Sequence, residues 1–177
     1  VVAVDTFGRL PIFDTNEDAT FWISSGRLQR TDLLGPKYIG DVLAGQSMIW
    51  VGPTFGFGLY RAGQMNVGFV FDVDARGIND TVKLPTFGGH LIDATCAFSK
   101  EYCWFFVSVH TGGVTTNHCI VIDRLGAVRA TAQAPAGDDS WLGTVRGKSA
   151  TGDSLLAATD DGVVRVRLDG ATIVVAQ

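Results

Sequence analysis

The chain has 177 residues, of which 46% are hydrophobic and 18% charged, and its formal net charge at pH 7 is −4. This composition excludes intrinsic disorder, which requires low hydropathy and high charge, and the scattered Lys and Arg exclude a basic patch for nucleic acid. No apolar run approaches the 18 or more residues of a membrane-spanning helix, so we expect neither nucleic acid nor a membrane as a partner.

Short apolar strands and tight turns recur along the whole chain. Residues 1–13 are interpreted as a partial unit, the tail of a hairpin. Strongly apolar strands are then predicted at 20–24, 47–52, 103–109 and 154–159. Shorter strands are predicted at 37–42, 80–85, 127–133 and 171–177. A further strand ahead of the apolar one is predicted at 90–98 and 140–147, whereas the Gly-rich residues 52–58 are interpreted as a hairpin connection.

An Asp-to-Gly turn marks each repeat. The aspartates are Asp32, Asp74, Asp123 and Asp169, which are 42, 49 and 46 residues apart. Each is followed within three residues by a glycine, which supplies the positive φ that a hairpin connection requires. No stretch of 12 residues carries a helical apolar stripe. The pattern therefore predicts an all-β chain of about four repeats of four antiparallel strands, which is the signature of β-propeller blades.

The last repeat, "LLAATDDGVVRVRLDG", resembles the middle hairpin of blades in WD-repeat and quinoprotein-like β-propellers. The Trp-Asp pair that names WD repeats is absent, because Arg167 and Leu168 follow Val166. The resemblance therefore implies the fold and carries over no functional residues. We expect residues 1–177 to be a single propeller domain or a segment of one, in which the rest of the ring comes from the same protein or from a partner.

Two aspartates are the candidates for catalysis. Asp41 and Asp93 lie nine and eleven residues before Trp50 and Trp104, in what is interpreted as the approach to a blade's first strand. First strands line the channel of a propeller, where two carboxylates could serve as acid and base, or as nucleophile, in carbohydrate hydrolysis. A later repeat offers Asp138 and Asp139 at a less regular distance from its tryptophan. The alternative role for these aspartates is to cap a turn or to pair with Arg.

His110 and His118 are the metal candidates. They flank residues 111–117, and antiparallel pairing could bring them opposite each other, with Cys119 adjacent. Because Cys119 points to the other face of its strand and no third ligand is evident, no metal site and no cofactor are predicted. The odd number of cysteines favours a reducing, cytoplasmic compartment, and buried, inert thiols are expected at Cys96, Cys103 and Cys119.

The aromatic residues leave two interpretations open. Trp22, Trp50, Trp104 and Trp141 either pack between neighbouring blades or line a surface for sugar or peptide. The hypothesis that we favour is a non-catalytic scaffold that binds protein, because the repeats carry no convergent catalytic set. The alternative is a carbohydrate-active hydrolase that uses Asp41 and Asp93, and a weaker third hypothesis is a small-ligand or metal sensor.

Overall fold

The computed structural model describes residues 12–15, 20–24, 27–32, 35–41, 47–62, 65–72, 78–82, 84–85 and 89–176. The chain divides into two compact units, Val1–Leu84 and Pro85–Gln177. The described residues form sixteen β-strands and one short helix, and the strands make four antiparallel sheets of four strands each. Each sheet consists of strands that are consecutive in sequence. The all-β class predicted from the sequence is confirmed.

The first unit contains two of these sheets. Sheet 1 consists of β1 (Ile12–Thr15), β2 (Thr20–Ser24), β3 (Arg27–Asp32) and β4 (Gly35–Asp41). Sheet 2 consists of β5 (Ser47–Val51), β6 (Phe55–Ala62), β7 (Met65–Asp72) and β8 (Ile78–Val82). In both sheets the spatial order of the strands is their order in the sequence.

The second unit contains the other two sheets and the helix. Sheet 3 consists of β9 (His90–Phe98), β10 (Tyr102–Thr111), β11 (Val114–Asp123) and β12 (Val128–Pro135). Helix α1 (Trp141–Thr144) precedes sheet 4, which consists of β13 (Gly147–Thr151), β14 (Ser154–Thr159), β15 (Gly162–Asp169) and β16 (Thr172–Val175). Across the described parts of the chain, no helix has the length and apolar character to cross a membrane.

Sheet 2 corrects two predictions. Residues 47–51 form its first strand and not its second, and residues 55–58, predicted as part of a connection, belong to β6. The glycines of β6 serve close packing, because a Cβ at Gly56 would overlap the ring of Phe71, its cross-strand partner. A Cβ at Gly58 would likewise overlap the ring of Phe69, its own cross-strand partner. Glycine in a strand can thus mark the approach of an aromatic ring and need not mark a turn.

Two further predictions concern the beginnings of sheets. Ile12 and Phe13, predicted as part of a partial unit at 1–13, belong to β1, the first of four strands in sheet 1; residues 1–11 lie outside the described residues. Residues 141–144, predicted as strand, form α1, because the Ser140 hydroxyl accepts a hydrogen bond from the Gly143 amide and caps the turn. The first strand of sheet 4 is β13, which begins at Gly147.

The aspartates that mark the repeats lie at one position in their sheets. Asp32, Asp123 and Asp169 each end the third strand, while Asp74 falls outside the described residues. Asp123 is 7% exposed, and its Oδ1 accepts hydrogen bonds from the amides of Leu125 and Ala127, both at 2.9 Å. Its other oxygen pairs with Arg129, whose Nε lies 2.8 Å away. This carboxylate closes the turn between β11 and β12.

Sheets 3 and 4 stack face to face in the second unit. The first strands β9 and β13 contact each other, and so do the fourth strands β12 and β16. The core between the sheets consists of Ala97, Trp104, Phe106, Cys119, Val121, Ala130, Ala134, Leu142, Leu155, Ala157 and Val166. In β14 the buried Leu155 and Ala157 alternate with exposed residues, as expected for a strand with one covered face. The two sheets therefore present corresponding strands to each other.

Candidate functional site

A row of polar side chains crosses sheet 3 near the beginning of β9. Asp93, Ser108 and Asn117 are cross-strand neighbours on β9, β10 and β11. The Ser108 hydroxyl donates a hydrogen bond to Asn117 Oδ1 at 2.8 Å. The next row toward the middle of the sheet is Thr95, Phe106 and Cys119, which borders the apolar core. The face of sheet 3 that packs on sheet 4 thus changes from apolar to polar at this end.

Sheet 4 contributes one cation to this region. Lys148 is the second residue of β13, and its Nζ lies 4.7 Å from the centroid of the Phe106 ring, a cation–π geometry. Burial lowers the pKa of Lys148, and the negative charge of Asp93 opposes that change in part. Within the described part of the chain no carboxylate forms an ion pair with this ammonium group. Lys148 is therefore a half-buried cation whose charge is only partly compensated.

These side chains enclose a small notch between the two sheets. We call it the Lys148 notch; its lining includes Asp93, Thr95, Phe106, Ser108, Asn117 and Lys148. Its volume is about 70 Å³, which is enough for a small polar group or about two water molecules. Asn117 Nδ2 donates to the carbonyl of Leu142 at 3.3 Å and so fixes α1 beside the notch. The Phe106 and Trp141 rings pack edge to face, with centroids 6.4 Å apart.

The two predicted catalytic aspartates do not occupy equivalent positions. Asp93 lies in β9, the first strand of its sheet, and lines the notch, whereas Asp41 ends β4, the fourth strand of sheet 1. Among the described residues that line the notch, Asp93 is the only carboxylate, whereas glycoside hydrolysis by this route requires two. Pockets that bind organic ligands typically enclose roughly 300–1,000 Å³. The notch alone therefore lacks both the groups and the room for a sugar ring.

Asp138 acts as a turn residue, as one of the two interpretations expected. Its Oδ1 accepts hydrogen bonds from the amide and the hydroxyl of Ser140, the residue that caps α1. Asp139 is exposed in the same connection.

The metal candidates His110 and His118 are not brought together. His110 pairs across the hairpin with Thr115, and its Nδ1 lies 3.1 Å from the Thr115 hydroxyl. His118 pairs with Val107, which places it on the opposite face of sheet 3. The cross-strand partner of His110 on β9 is His90, a pairing that sequence reasoning missed. In the portion of the chain that the structure describes, no three His, Cys, Asp or Glu residues form a metal-binding group.

The cysteines lie in apolar surroundings. Cys103 and Cys119 are fully buried and Cys96 is partly buried, and all three are free thiols. Burial raises the pKa of Cys119 far above its ordinary value, and the neighbouring Cys103 adds to the effect. Since the thiolate is the reactive form, Cys119 is an inert part of the core.

The tryptophans have different environments. Trp104 is fully buried between sheets 3 and 4, in line with the packing interpretation. Trp50 is partly exposed and stacks on Phe57, with ring centroids 6.0 Å apart. Trp141 lies in α1 and borders the inter-sheet core. The side chain of Trp22 lies outside the described residues.

Sequence reasoning missed most of the Lys148 notch. Asp93 was a candidate, but Lys148, Ser108 and Asn117 were not. The strand predicted at 140–147 stopped one residue short of Lys148, so its place beside β9 could not be recognised. The available signal was a lone lysine at an inward-facing position of the strand that precedes "SLLAAT".

The similarities of this chain to known proteins lie among solved structures. No protein-family model and no curated protein matches the chain. Two solved structures of Hsv2 from Kluyveromyces lactis, a β-propeller protein, match at a TM-score of 0.32. One has loop 6CD complete (12% identity over 97% of this chain), and the other has it replaced by a Gly-Ser linker (11% over 96%). This chain spans 61% and 64% of their lengths.

Proposed function

We propose that this chain is a non-catalytic β-propeller scaffold that binds a protein partner at the end of the sheets carrying the Lys148 notch. The observation that carries the proposal is the stacking of sheets 3 and 4, with first strand beside first strand and fourth beside fourth. Blades of a propeller repeat radially in this order. The expectation that further sheets, from the same protein or from a partner, complete a ring stays a prediction.

The end of the second unit that carries the notch has a surface of mixed polarity. Val114, at the turn between β10 and β11, is 57% exposed. The Lys148 notch lies at the same end, between sheets 3 and 4. Arg146 and Asp160 form a two-point ion pair at the same end, with N···O distances of 3.0 and 2.9 Å. This end of the second unit therefore offers a partner an exposed apolar side chain, the notch and an exposed ion pair.

A peptide-display selection with matched surface variants tests the proposal. Peptides selected on the unmodified chain are remeasured on Val114→Glu and on Leu125→Glu, a change at the opposite end of β11, where Leu125 is 65% exposed. We expect V114E to weaken binding at least about tenfold, because a carboxylate replaces an apolar side chain within the proposed binding surface, and L125E to leave it within about twofold. Equal effects of the two variants, or no selected peptides, would contradict the proposal.

A separate activity assay tests the hydrolase hypothesis. We expect no turnover of aryl glycosides by the unmodified chain beyond that seen with the D93N and D41N variants. Hydrolysis that either substitution abolishes would replace the scaffold proposal with the hydrolase.

A further inference from the structure

The Lys148 notch has the chemistry of a receptor for a side-chain carboxylate. Resting on the proposed function, we infer that the protein partner inserts an Asp or Glu side chain into the notch and pairs it with Lys148. The inference names the part of the partner that the scaffold recognises.

The position of Lys148 is the first reason. Its ammonium lies above the Phe106 ring and within the stacked edges of β9 and β13, where a charge is partly removed from water. No ion pair compensates it among the described residues, although three exposed or partly exposed arginines of the second unit, Arg129, Arg146 and Arg167, each have a carboxylate partner. An ion pair formed in a partly desolvated place is stronger than one on an open surface.

The size of the notch and its donors are the second reason. About 70 Å³ accommodates a carboxylate group but not a larger ring. Thr95 lines the same space, and its hydroxyl is a hydrogen-bond donor. A carboxylate with one oxygen toward Lys148 would leave the other for this hydroxyl.

Asp93 selects among anions. Its carboxylate is exposed at the mouth of the notch, close enough to act on the charge of Lys148. A phosphate dianion would be repelled by Asp93 and would meet only one cation, whereas phosphate sites usually offer several donors. A peptide that brings a carboxylate together with backbone N–H groups suits both charges, since an N–H can donate to Asp93. The notch therefore favours an acidic peptide segment over a free anion.

NMR titration with short peptides tests this inference on the intact chain. The probes are Ac-Gly-Glu-Gly-NH2, its Gln analogue and sodium acetate, and the signals followed are the Lys148 methylenes and the Asn117 side-chain amide. We expect the Glu peptide to shift these signals, and the Gln peptide to bind about tenfold more weakly or worse, because it cannot form the ion pair. Acetate is also expected to bind more weakly than the Glu peptide.

Two variants provide the matched comparison. Lys148→Met removes the charge but keeps a long apolar side chain and should lose binding of the Glu peptide. Lys100→Met removes the same charge at the exposed turn between β9 and β10 and should retain binding. Equal binding of the Glu and Gln peptides on the unmodified chain would overturn the inference without any variant. So would acetate binding as tightly as the Glu peptide, which would make the notch a site for free carboxylates. Because display selection is a separate measurement, the scaffold proposal can survive either result.

Discussion

Two ionisable side chains at the boundary between sheets 3 and 4 respond to burial in opposite ways. The pKa of Cys119 is raised and that of Lys148 lowered, in each case mainly because burial disfavours the charged form. Cys119 is neutral at physiological pH and fits the apolar core without cost. Lys148 carries a charge into a partly desolvated place, where the proposed partner carboxylate would meet it.

Replacing Cys119 by Ala should change how stability depends on pH. The folded thiol stays protonated, whereas the unfolded one ionises above about pH 8.5, so ionisation favours unfolding as the pH rises. Between pH 7 and pH 10 the unmodified chain should lose about 2 kcal/mol more unfolding free energy than C119A. Urea unfolding of both chains at the two pH values measures this. Parallel pH profiles would show that the Cys119 thiol is not protected from ionisation in the folded state.

At alkaline pH, the ionisation of Lys148 changes the unfolding free energy in the direction opposite to that of Cys119. Because its folded pKa is lowered, the unfolded chain binds more protons between that pKa and the ordinary lysine value near 10.4, so its contribution to stability rises with pH there. Relative to K148M, the unmodified chain should therefore gain unfolding free energy across this range. If the difference between the two chains stays constant with pH, Lys148 is solvated like a surface lysine.

Two turn aspartates at corresponding positions, Asp123 and Asp169, should contribute very differently to the unfolding free energy. Asp123 is buried and holds two backbone amides and Arg129, whereas Asp169 is exposed and only pairs with Arg167 at 3.5 Å. We expect D123A to lower the unfolding free energy by about 2–3 kcal/mol, because the amides lose their acceptor, and D169A by no more than about 0.5 kcal/mol. Denaturant unfolding of both variants checks this, and similar losses would count against the hydrogen bonds of Asp123.

Among the elements, short apolar runs between turn residues predicted most strands of the second unit. Residues 90–98 form β9 as predicted, and 103–109 and 154–159 lie in second strands. The wrong predictions concern segments in which a glycine or a capping residue is compatible with two structures. In β6 the glycines accept aromatic rings, a tertiary contact that is not local in sequence, and before β13 Ser140 caps a helical turn instead of beginning a strand.

Substitutions in β6 test the packing role of its glycines. Gly56→Ala should cost about 1–3 kcal/mol of unfolding free energy, because the added methyl overlaps the Phe71 ring. Gly147→Ala in β13 is the matched control: its Cβ would meet the Ala158 Cβ at 3.7 Å, an ordinary contact, so the change should be neutral or slightly stabilising. Thermal denaturation compares the two. A G56A chain as stable as G147A would mean that the ring of Phe71 does not lie over Gly56.

At the scale of the whole molecule, the repeat predicted four-stranded units but not how side chains from different sheets meet. Asp93 could be singled out as a carboxylate on a first strand. Its relation to Lys148 depends on β13 lying beside β9, which periodicity within either strand does not encode. The spacing to a tryptophan suggested that Asp41 and Asp93 are equivalent. Asp41 instead lies in the fourth strand of its sheet and Asp93 in the first strand of its own.

Both the proposed scaffold and the Lys148 notch depend on the stacking of sheets 3 and 4. Nuclear Overhauser spectroscopy of the labelled chain tests it most directly through the contact of Lys148 with the Phe106 ring, 4.7 Å from Nζ to the centroid. We expect cross-peaks between the Lys148 methylenes and the Phe106 ring protons, with the methylenes shifted upfield by the ring. Methyl groups of Leu155 and Val166 should likewise show contacts to the aromatic rings of sheet 3. A folded chain with intact strands but no cross-peaks between the two sheets would show that sheets 3 and 4 do not stack.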